Sequence, residues 1–196
     1  MKLTETTTLL SADIPVAEFS DFMRLGSGFA DDGGQNVLLE TVLRAAMGAI
    51  EMRIGKILIA RGFNWQIYVW RRDRSAQVLP VAPVNVISQI VQIDDTGALT
   101  PVDAADYRLE FDAARPRIVP TKGFLPEVPI NGSTVISFDA GYGIWVDVPS
   151  DLRQAVFLLA ANYYENRNDL ARSGGQMPFG VLALLEPYRD IRLGAA

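Results

Sequence analysis

The hydrophobic period changes twice along this chain, and these changes constrain the fold more than any other feature of its 196 residues. Apolar residues recur at three- and four-residue steps over 37–61, which predicts a long helix that Asn36 caps and Gly62 ends. The pattern then alternates with a period of two through 63–141, where β-branched runs are separated by Pro, Gly and Asp. Helical spacing returns over 150–168.

This order of patterns predicts an α+β protein, an α-helical bundle with a small antiparallel β insertion between its long helices. Residues 1–62 and 142–196 would form the helical domain, and residues 63–141 the inserted β subdomain. A short helix is expected near Asp13, with Pro15 in its first turn. A chain of this length buries a core without disulfides or metals.

The chain contains no cysteine and no histidine, and its only lysines are Lys2, Lys56 and Lys122. These absences exclude thiol catalysis, Ser-His-Asp triads and the usual zinc sites, all of which use Cys or His. We therefore predict a protein that is not an enzyme, with no catalytic residue, no cofactor and no metal. The net charge of −5 disfavours a surface that grips DNA, because such surfaces carry a large basic surplus.

The N-terminal residues MKLTETTTLL lack the apolar core of a signal peptide. No run of about 18 apolar residues is present, so no membrane span is expected. We therefore predict a cytoplasmic protein without a membrane partner.

An Asp-Thr-Gly sequence at residues 95–97 matches the core motif of aspartic proteases and follows a β-branched run. That chemistry needs two carboxylates that share one proton. The chain has no second copy of the motif, so only a symmetric dimer would supply the partner of Asp95. Asp and Gly are also the residues that hairpin turns prefer, and we favour a turn.

Three arginines, Arg71, Arg72 and Arg74, follow Trp70 and form a basic cluster. Such a cluster can contact a phosphate backbone, and it can equally be a solvated strand end that discourages edge pairing. The acidic net charge favours the solvated strand end. In a ring of subunits, these arginines would instead pair with a neighbour's Asp or Glu.

The C-terminal segment FGVLALLEPYR (179–189) is apolar on nearly every side. A helix this short is not stable alone, so its apolar residues must be buried in its own core or on a partner. Its apolar residues are Phe179, Val181, Leu182, Leu184 and Leu185. Two glycines precede the segment at 174–175 and would give it the reach to contact another subunit.

Residues 133–167 read STVISFDAGYGIWVDVPSDLRQAVFLLAANYYENR, a strand, an Ala-Gly-Tyr-Gly turn, Val-Pro and a helix. This resembles the head–tail connector (adaptor) family of long-tailed phages and gene transfer agents. Earlier segments are similar too: Ala-Ile-Glu at 49–51, Leu-Pro-Val-Ala-Pro-Val at 79–84, Asp-Asp-Thr-Gly at 94–97 and Tyr-Arg-Leu at 107–109. The resemblance spans residues 37–190, and none of its motifs is catalytic.

The resemblance implies a structural protein of the virion, placed at the head–tail junction. It implies a ring of roughly a dozen copies that contact one another through heterologous faces. Its partners would be the portal protein and a tail-side stopper or tail-completion protein, and DNA would pass through the lumen. Portal docking would fall on Phe179, Leu182, Leu185 and Tyr188. A second hypothesis is another tail-completion or interaction protein, which would not form this ring.

Overall fold

The structure is a computed structural model, and the residues that it describes are 1–24, 33–71, 74–166 and 177–189. Residue contacts divide the chain into two compact units. The first, which we call the β unit, combines Met1–Thr8 with Ile59–Tyr142. The second, the helical unit, combines Leu9–Leu58 with Gly143–Ala196.

The predicted fold class, a helical bundle with a small β insertion, is wrong. The described residues form an α+β protein with four α-helices and eight strands in two antiparallel sheets. The β structure is larger than predicted because the N-terminal residues join it. Lys2–Glu5 pairs in antiparallel register with the strand that begins at Arg61, so Leu3 lies opposite Trp65.

The β unit contains a five-stranded sheet of order β1-β2-β8-β4-β5 and a three-stranded sheet of order β3-β7-β6. The first sheet is built from β1 (Lys2–Glu5), β2 (Arg61–Ile67), β4 (Val84–Ile93), β5 (Leu99–Pro101) and β8 (Ser133–Ala140). The second is built from β3 (Gln77–Val78), β6 (Tyr107–Glu110) and β7 (Arg117–Pro120).

Alternation along the strands produces the core of the β unit. Phe63, Trp65 and Ile67 of β2 are buried, as the period of two predicts, and Ile136 and Phe138 of β8 lie beside them. The rings of Phe63 and Phe138 stack with their centroids 5.8 Å apart. These cross-strand pairs fix the register of the central strands, since a slip of one residue would expose all of them.

The turn after β8 requires glycine at position 141. Gly141 has a φ of +135°, and a Cβ there would lie 2.5 Å from the backbone of Ala60. Its N–H donates to the carbonyl of Pro83, and its carbonyl accepts from the side-chain amide of Asn85. The first glycine of the Ala-Gly-Tyr-Gly sequence is therefore fixed by close backbone packing.

The helical unit is formed by helices that bury one face each. They are α1 (Val16–Phe22), α2 (Gly33–Ile54), α3 (Ser150–Glu165) and α4 (Phe179–Leu185). Helix α2 contacts α1 and α3, and α3 contacts α4. The buried residues recur at helical spacing, as predicted for α2 and α3: Leu39, Leu43, Ala46, Ile50, Leu152, Val156, Leu159 and Ala160.

Helix α2 ends seven residues earlier than the sequence predicts. Gly55 adopts a φ of +67° and its N–H donates to the carbonyl of Glu51, so this glycine, rather than Gly62, terminates the helix. The Glu51 carboxylate then accepts from the backbone N–H of Leu58 at 2.8 Å. The apolar residues Ile57, Leu58 and Ile59, which continue the helical pattern in the sequence, are buried but lie in a non-helical segment.

An aromatic cluster joins α1, α3 and the turn before α3. The ring of Phe157 lies 5.6 Å from Phe19, 5.5 Å from Phe22 and 5.5 Å from Trp145. The indole N–H of Trp145 donates to the Glu18 carboxylate at 3.1 Å. This polar partner lets a large aromatic side chain be buried without an unsatisfied donor. Among the helices that the structure describes, none is long and apolar enough to cross a bilayer.

Candidate partner-binding surfaces

The C-terminal segment has one buried side and one exposed side. Helix α4 follows Pro178, whose carbonyl accepts the N–H groups of Val181 and Leu182. Val181 and Leu185, four residues apart, are 1% and 0% exposed, and α4 packs on α3. Phe179 is 85% exposed. The segment is therefore anchored to its own chain by one face and presents an aromatic ring on the other.

The four residues predicted to dock on a partner are thus placed differently. Phe179 is exposed, Leu182 is half-buried and Leu185 is completely buried. Tyr188 lies half-buried in the short turn Glu186–Tyr188, where burial raises the pKa of its hydroxyl and the charge of Asp151 raises it further. Phe179, Leu182 and Tyr188 remain available to a partner, while Leu185 holds α4 in place.

The sequence did not reveal which side of α4 is buried. Apolar residues surround the helix, so periodicity gives no preferred face. What separates the faces is the burial of Val181 and Leu185 in a helix that packs on α3. Only the tertiary contact identifies that pair.

Trp70 and Arg71, at the start of the arginine cluster, are bonded to other parts of the β unit. Trp70 is buried and its indole N–H donates to the carbonyl of Pro126 at 2.7 Å. The buried side-chain amide of Gln77 accepts the N–H of Arg71 and donates to the carbonyl of the same residue. The Arg71 side chain is exposed, and its guanidinium lies 3.7 Å from the sulfur of Met1.

Arg74 has partners in its own chain, and Arg72 lies outside the described residues. The Arg74 guanidinium lies 3.8 Å from the carboxylate of Glu127 and 5.7 Å from the centre of the Phe124 ring. Exposed pairs of this kind are weak. Arg71 is therefore exposed, whereas Arg74 is partly exposed and already lies beside an acidic residue of its own chain.

The Asp-Thr-Gly sequence forms a tight turn between β4 and β5. The carboxylate of Asp94 accepts hydrogen bonds from the hydroxyl and N–H of Thr96 and from the N–H of Ala98, at 2.7 to 2.9 Å. The bond from the Thr96 side chain is the main reason that the pKa of Asp94 is lowered. Gly97 adopts a φ of +85°, which such a turn needs. Asp95, the predicted protease residue, is exposed.

The acidic residues do not build a metal centre in the part of the chain that the structure describes. There, no three His, Cys, Asp or Glu side chains come together in a way that could hold an ion. What the described surfaces offer is exposed aromatic, aliphatic and guanidinium groups. These groups bind other macromolecules by burial and hydrogen bonding.

Comparisons with known proteins give a full-length match. No protein-family model matches the chain, and no curated protein does. Among solved structures, a chain in the neck of an empty GTA particle computed with C6 symmetry is 48% identical, with a TM-score of 0.90. The match covers 100% of this chain and 99% of that one.

Two further structures agree. A chain in the virion of a native gene transfer agent (GTA) particle is 47% identical, with a TM-score of 0.88. A chain in the neck of a native GTA particle computed with C12 symmetry is 44% identical, with a TM-score of 0.84. Each match covers 100% of this chain and 99% of the other.

Proposed function

We propose that this chain, which belongs to the family of gene transfer agent neck proteins, is the head–tail connector (adaptor) subunit of such a particle. In this role it is a structural virion protein that joins the portal to the tail-side components. Copies of the chain form a ring, and DNA passes through the lumen. The protein works by binding and carries out no reaction.

One observation carries this proposal, which is that the similarity covers the whole chain. At 44 to 48% identity over 100% of the chain, both the β unit and the helical unit are shared with chains of assembled necks and virions. A likeness confined to one unit would support only a shared fold. A likeness of both units at this identity supports a shared place in the particle.

The symmetries of the matched necks support a ring of twelve. One was computed with C6 and another with C12 symmetry. Twelvefold symmetry contains sixfold symmetry, so a dodecamer satisfies both, whereas a hexamer satisfies only the first. Each copy in such a ring contacts its two neighbours through two different faces. The mass of the ring would be about 260 kDa, for twelve copies of 21.5 kDa.

We assign portal docking to the exposed side of the C-terminal segment. Phe179 would insert into an apolar pocket of the portal, Leu182 and Tyr188 would extend the contact, and Leu185 would keep α4 on α3. Buried aromatic anchors of this kind dominate protein interfaces. The segment of Arg71, Arg72 and Arg74 would contact a neighbouring subunit or the DNA. On the tail side, the partner would be a stopper or tail-completion protein.

The proposal is tested by removing the protein from its particles. Cells that lack the chain should accumulate heads without tails, and heads purified from them should lack the ring of about 260 kDa. Re-expression of the full chain should restore tailed particles when they are counted by negative-stain electron microscopy. Tailed particles in normal numbers without the chain would overturn the proposal.

The partner is tested separately with purified proteins. The full chain should form a complex with purified portal, and a chain that lacks residues 177–196 should bind the portal at least tenfold more weakly. If the shortened chain binds as tightly as the full chain, the docking assignment is wrong. A chain that ignores the portal but binds the tail tube would instead be a tail-completion protein.

A further inference from the structure

One side of α2 is exposed and carries no charged residue. Its members are Val37, Thr41, Ala45, Gly48 and Met52, and all five are exposed. Successive helical residues are about 100° apart, so these positions fall within an arc of about 80° and extend for about 22 Å. Val37 is 66% exposed and Met52 is 87% exposed. We call this surface the outer stripe.

The composition of the outer stripe is unusual for a helix side that faces water. The solvent side of a helix normally carries charged and polar residues, whereas this one carries a single hydroxyl. That hydroxyl, of Thr41, donates to the carbonyl of Val37 in its own helix. The outer stripe therefore offers no free charge and few polar groups to water along about four turns.

Gly48 indicates that another molecule approaches this surface. Glycine inside a helix is destabilising, and here the backbone does not require it. A Cβ at position 48 would have no atom within 4 Å other than those of its own chain neighbours and the adjacent helix backbone. No contact in the described fold explains the glycine, but close approach by another chain does, because a missing side chain lets two backbones lie near each other.

The net charge of the chain indicates which molecule this is. Copies that each carry a charge of −5 repel one another, so a contact between them is most favourable where the surface is neutral. DNA would instead attract a cationic surface. The outer stripe is neutral, and a second copy of this chain fits it better than DNA does.

The surroundings of the outer stripe have the composition of an interface rim. Glu40 and Arg44 border it and form an ion pair at 2.8 Å. The Arg44 guanidinium also donates to the carbonyl of Leu9, which places the exposed Leu10 near this border. Interfaces typically have a core with few charges and a polar rim. A stripe of this length covers on the order of 200 Å², the core of a contact that occupies about 800 Å² per partner.

We propose that the outer stripe of α2 is the core of the contact between neighbouring copies in the ring. The neighbour would present a different surface, because cyclic contacts are heterologous. This inference rests on the proposed function, since it needs a ring. It adds the residues through which the ring closes.

Photo-crosslinking in assembled particles tests the identity of the neighbour. Because the chain has no cysteine, a single thiol in a Met52→Cys variant can carry a short diazirine probe. The matched control is Arg53→Cys, an exposed position on the same helix but about 100° away from Met52. Irradiated Met52→Cys particles should give a product near twice 21.5 kDa that contains only this chain. The control should give at least fivefold less.

The outcomes separate this inference from the proposed function. A crosslink to a different protein, or equal yields from the two positions, would overturn the inference and leave the proposed function intact. Absence of the unmodified chain from the particles would overturn both.

A substitution at Gly48 tests whether the contact is needed. Gly48→Arg should leave the melting temperature of the isolated chain within about 2 °C of the wild type, because the added side chain meets open space. Its content in particles should fall at least tenfold, and Gly48→Ala, which adds only one methyl group at the contact, should lower that content less. Normal incorporation of Gly48→Arg would contradict the inference. A photo-crosslink that forms equally well from Met52→Cys and from the control Arg53→Cys would also contradict it.

Discussion

The side chain of Gln77 holds the backbone of Arg71 from both directions, accepting its N–H at 2.7 Å and donating to its carbonyl at 2.6 Å. Gln77 is only 1% exposed. An amide side chain here takes the place of a strand partner for Arg71. The backbone of Arg71, the first arginine of the cluster, is thus fixed to the β unit.

Gln77→Ala should destabilise the β unit by about 2–4 kcal/mol, because it leaves two backbone groups of Arg71 without their partner. Urea unfolding, followed by tryptophan fluorescence, measures the loss. The matched control is Gln92→Ala, which removes one exposed bond to the carbonyl of Glu127 and should cost less than about 1 kcal/mol. Equal losses in the two variants would contradict this account.

Gly141→Ala should destabilise the protein by about 3 kcal/mol, because the new Cβ would meet the backbone of Ala60 and the φ of +135° is unfavourable for alanine. Gly48→Ala is the control, since its Cβ would meet open space in a helix, and it should stabilise by up to about 1 kcal/mol. Thermal melts of the two variants give the comparison. A Gly141→Ala protein as stable as the wild type would contradict the close packing of residue 141 against the backbone of Ala60.

Phe179 and Leu185 should separate docking from folding. Phe179→Ser should change the free energy of unfolding by less than about 0.5 kcal/mol, because the ring is exposed, yet it should weaken binding to purified portal by at least tenfold. Leu185→Ala should lower that free energy by about 2–4 kcal/mol, because the side chain is fully buried. Chemical denaturation and portal titrations measure the two effects. Unchanged portal binding by Phe179→Ser would remove this residue from the docking surface.

The pKa of Asp94 should depend on the hydroxyl of Thr96. That hydrogen bond favours the ionised carboxyl in the folded chain, so the folded pKa lies below the ordinary value of 3.8. The bond therefore adds stability above pH 3.8, and this contribution is lost as the pH falls through the folded pKa. In Thr96→Val the midpoint should rise toward 3.8, as measured by a carbon-13 NMR titration of the Asp94 carboxyl. A midpoint that does not move would assign the shift to the backbone N–H groups alone.

The sequence predicted the helical elements better than the β elements, because the apolar spacing that identifies a helix lies within one short segment of the chain. The inward faces of α2 and α3 follow directly from apolar spacing. The end of α2 did not, because Gly55 and Gly62 are both plausible terminators and the apolar residue Ile57 continues the helical pattern into a non-helical segment. Only the turn at Gly55 decides between them.

The extent of the β unit escaped prediction because its outer strands are short or exposed. All four residues of β1 are exposed, so no alternation marks them, and the strand exists because β2 pairs with it. Strand β3 has two residues, which is too few for a period. A pattern that depends on long-range pairing is not visible in a local window. For this reason the β part was mistaken for a small insertion.

The resemblance to gene transfer agent proteins, which rested on residues 133–167 and a few earlier segments, is confirmed by chains of GTA necks and virions. The docking residues remain a prediction. Their apolar character was visible in the sequence, but the division between the buried Leu185 and the exposed Phe179 depends on the contact of α4 with α3. For partner-binding surfaces in general, the sequence shows which residues are apolar, but only the fold decides which of them are exposed.

The most direct measurement is a cryo-electron microscopy reconstruction of the neck of the particles that this chain helps to build. We predict density for twelve copies arranged as a ring at the portal, with α4 of each copy against the portal and the outer stripe of α2 against the next copy. A neck in which other proteins fill the whole portal–tail junction, with this chain in the capsid shell or the tail tube, would contradict the account.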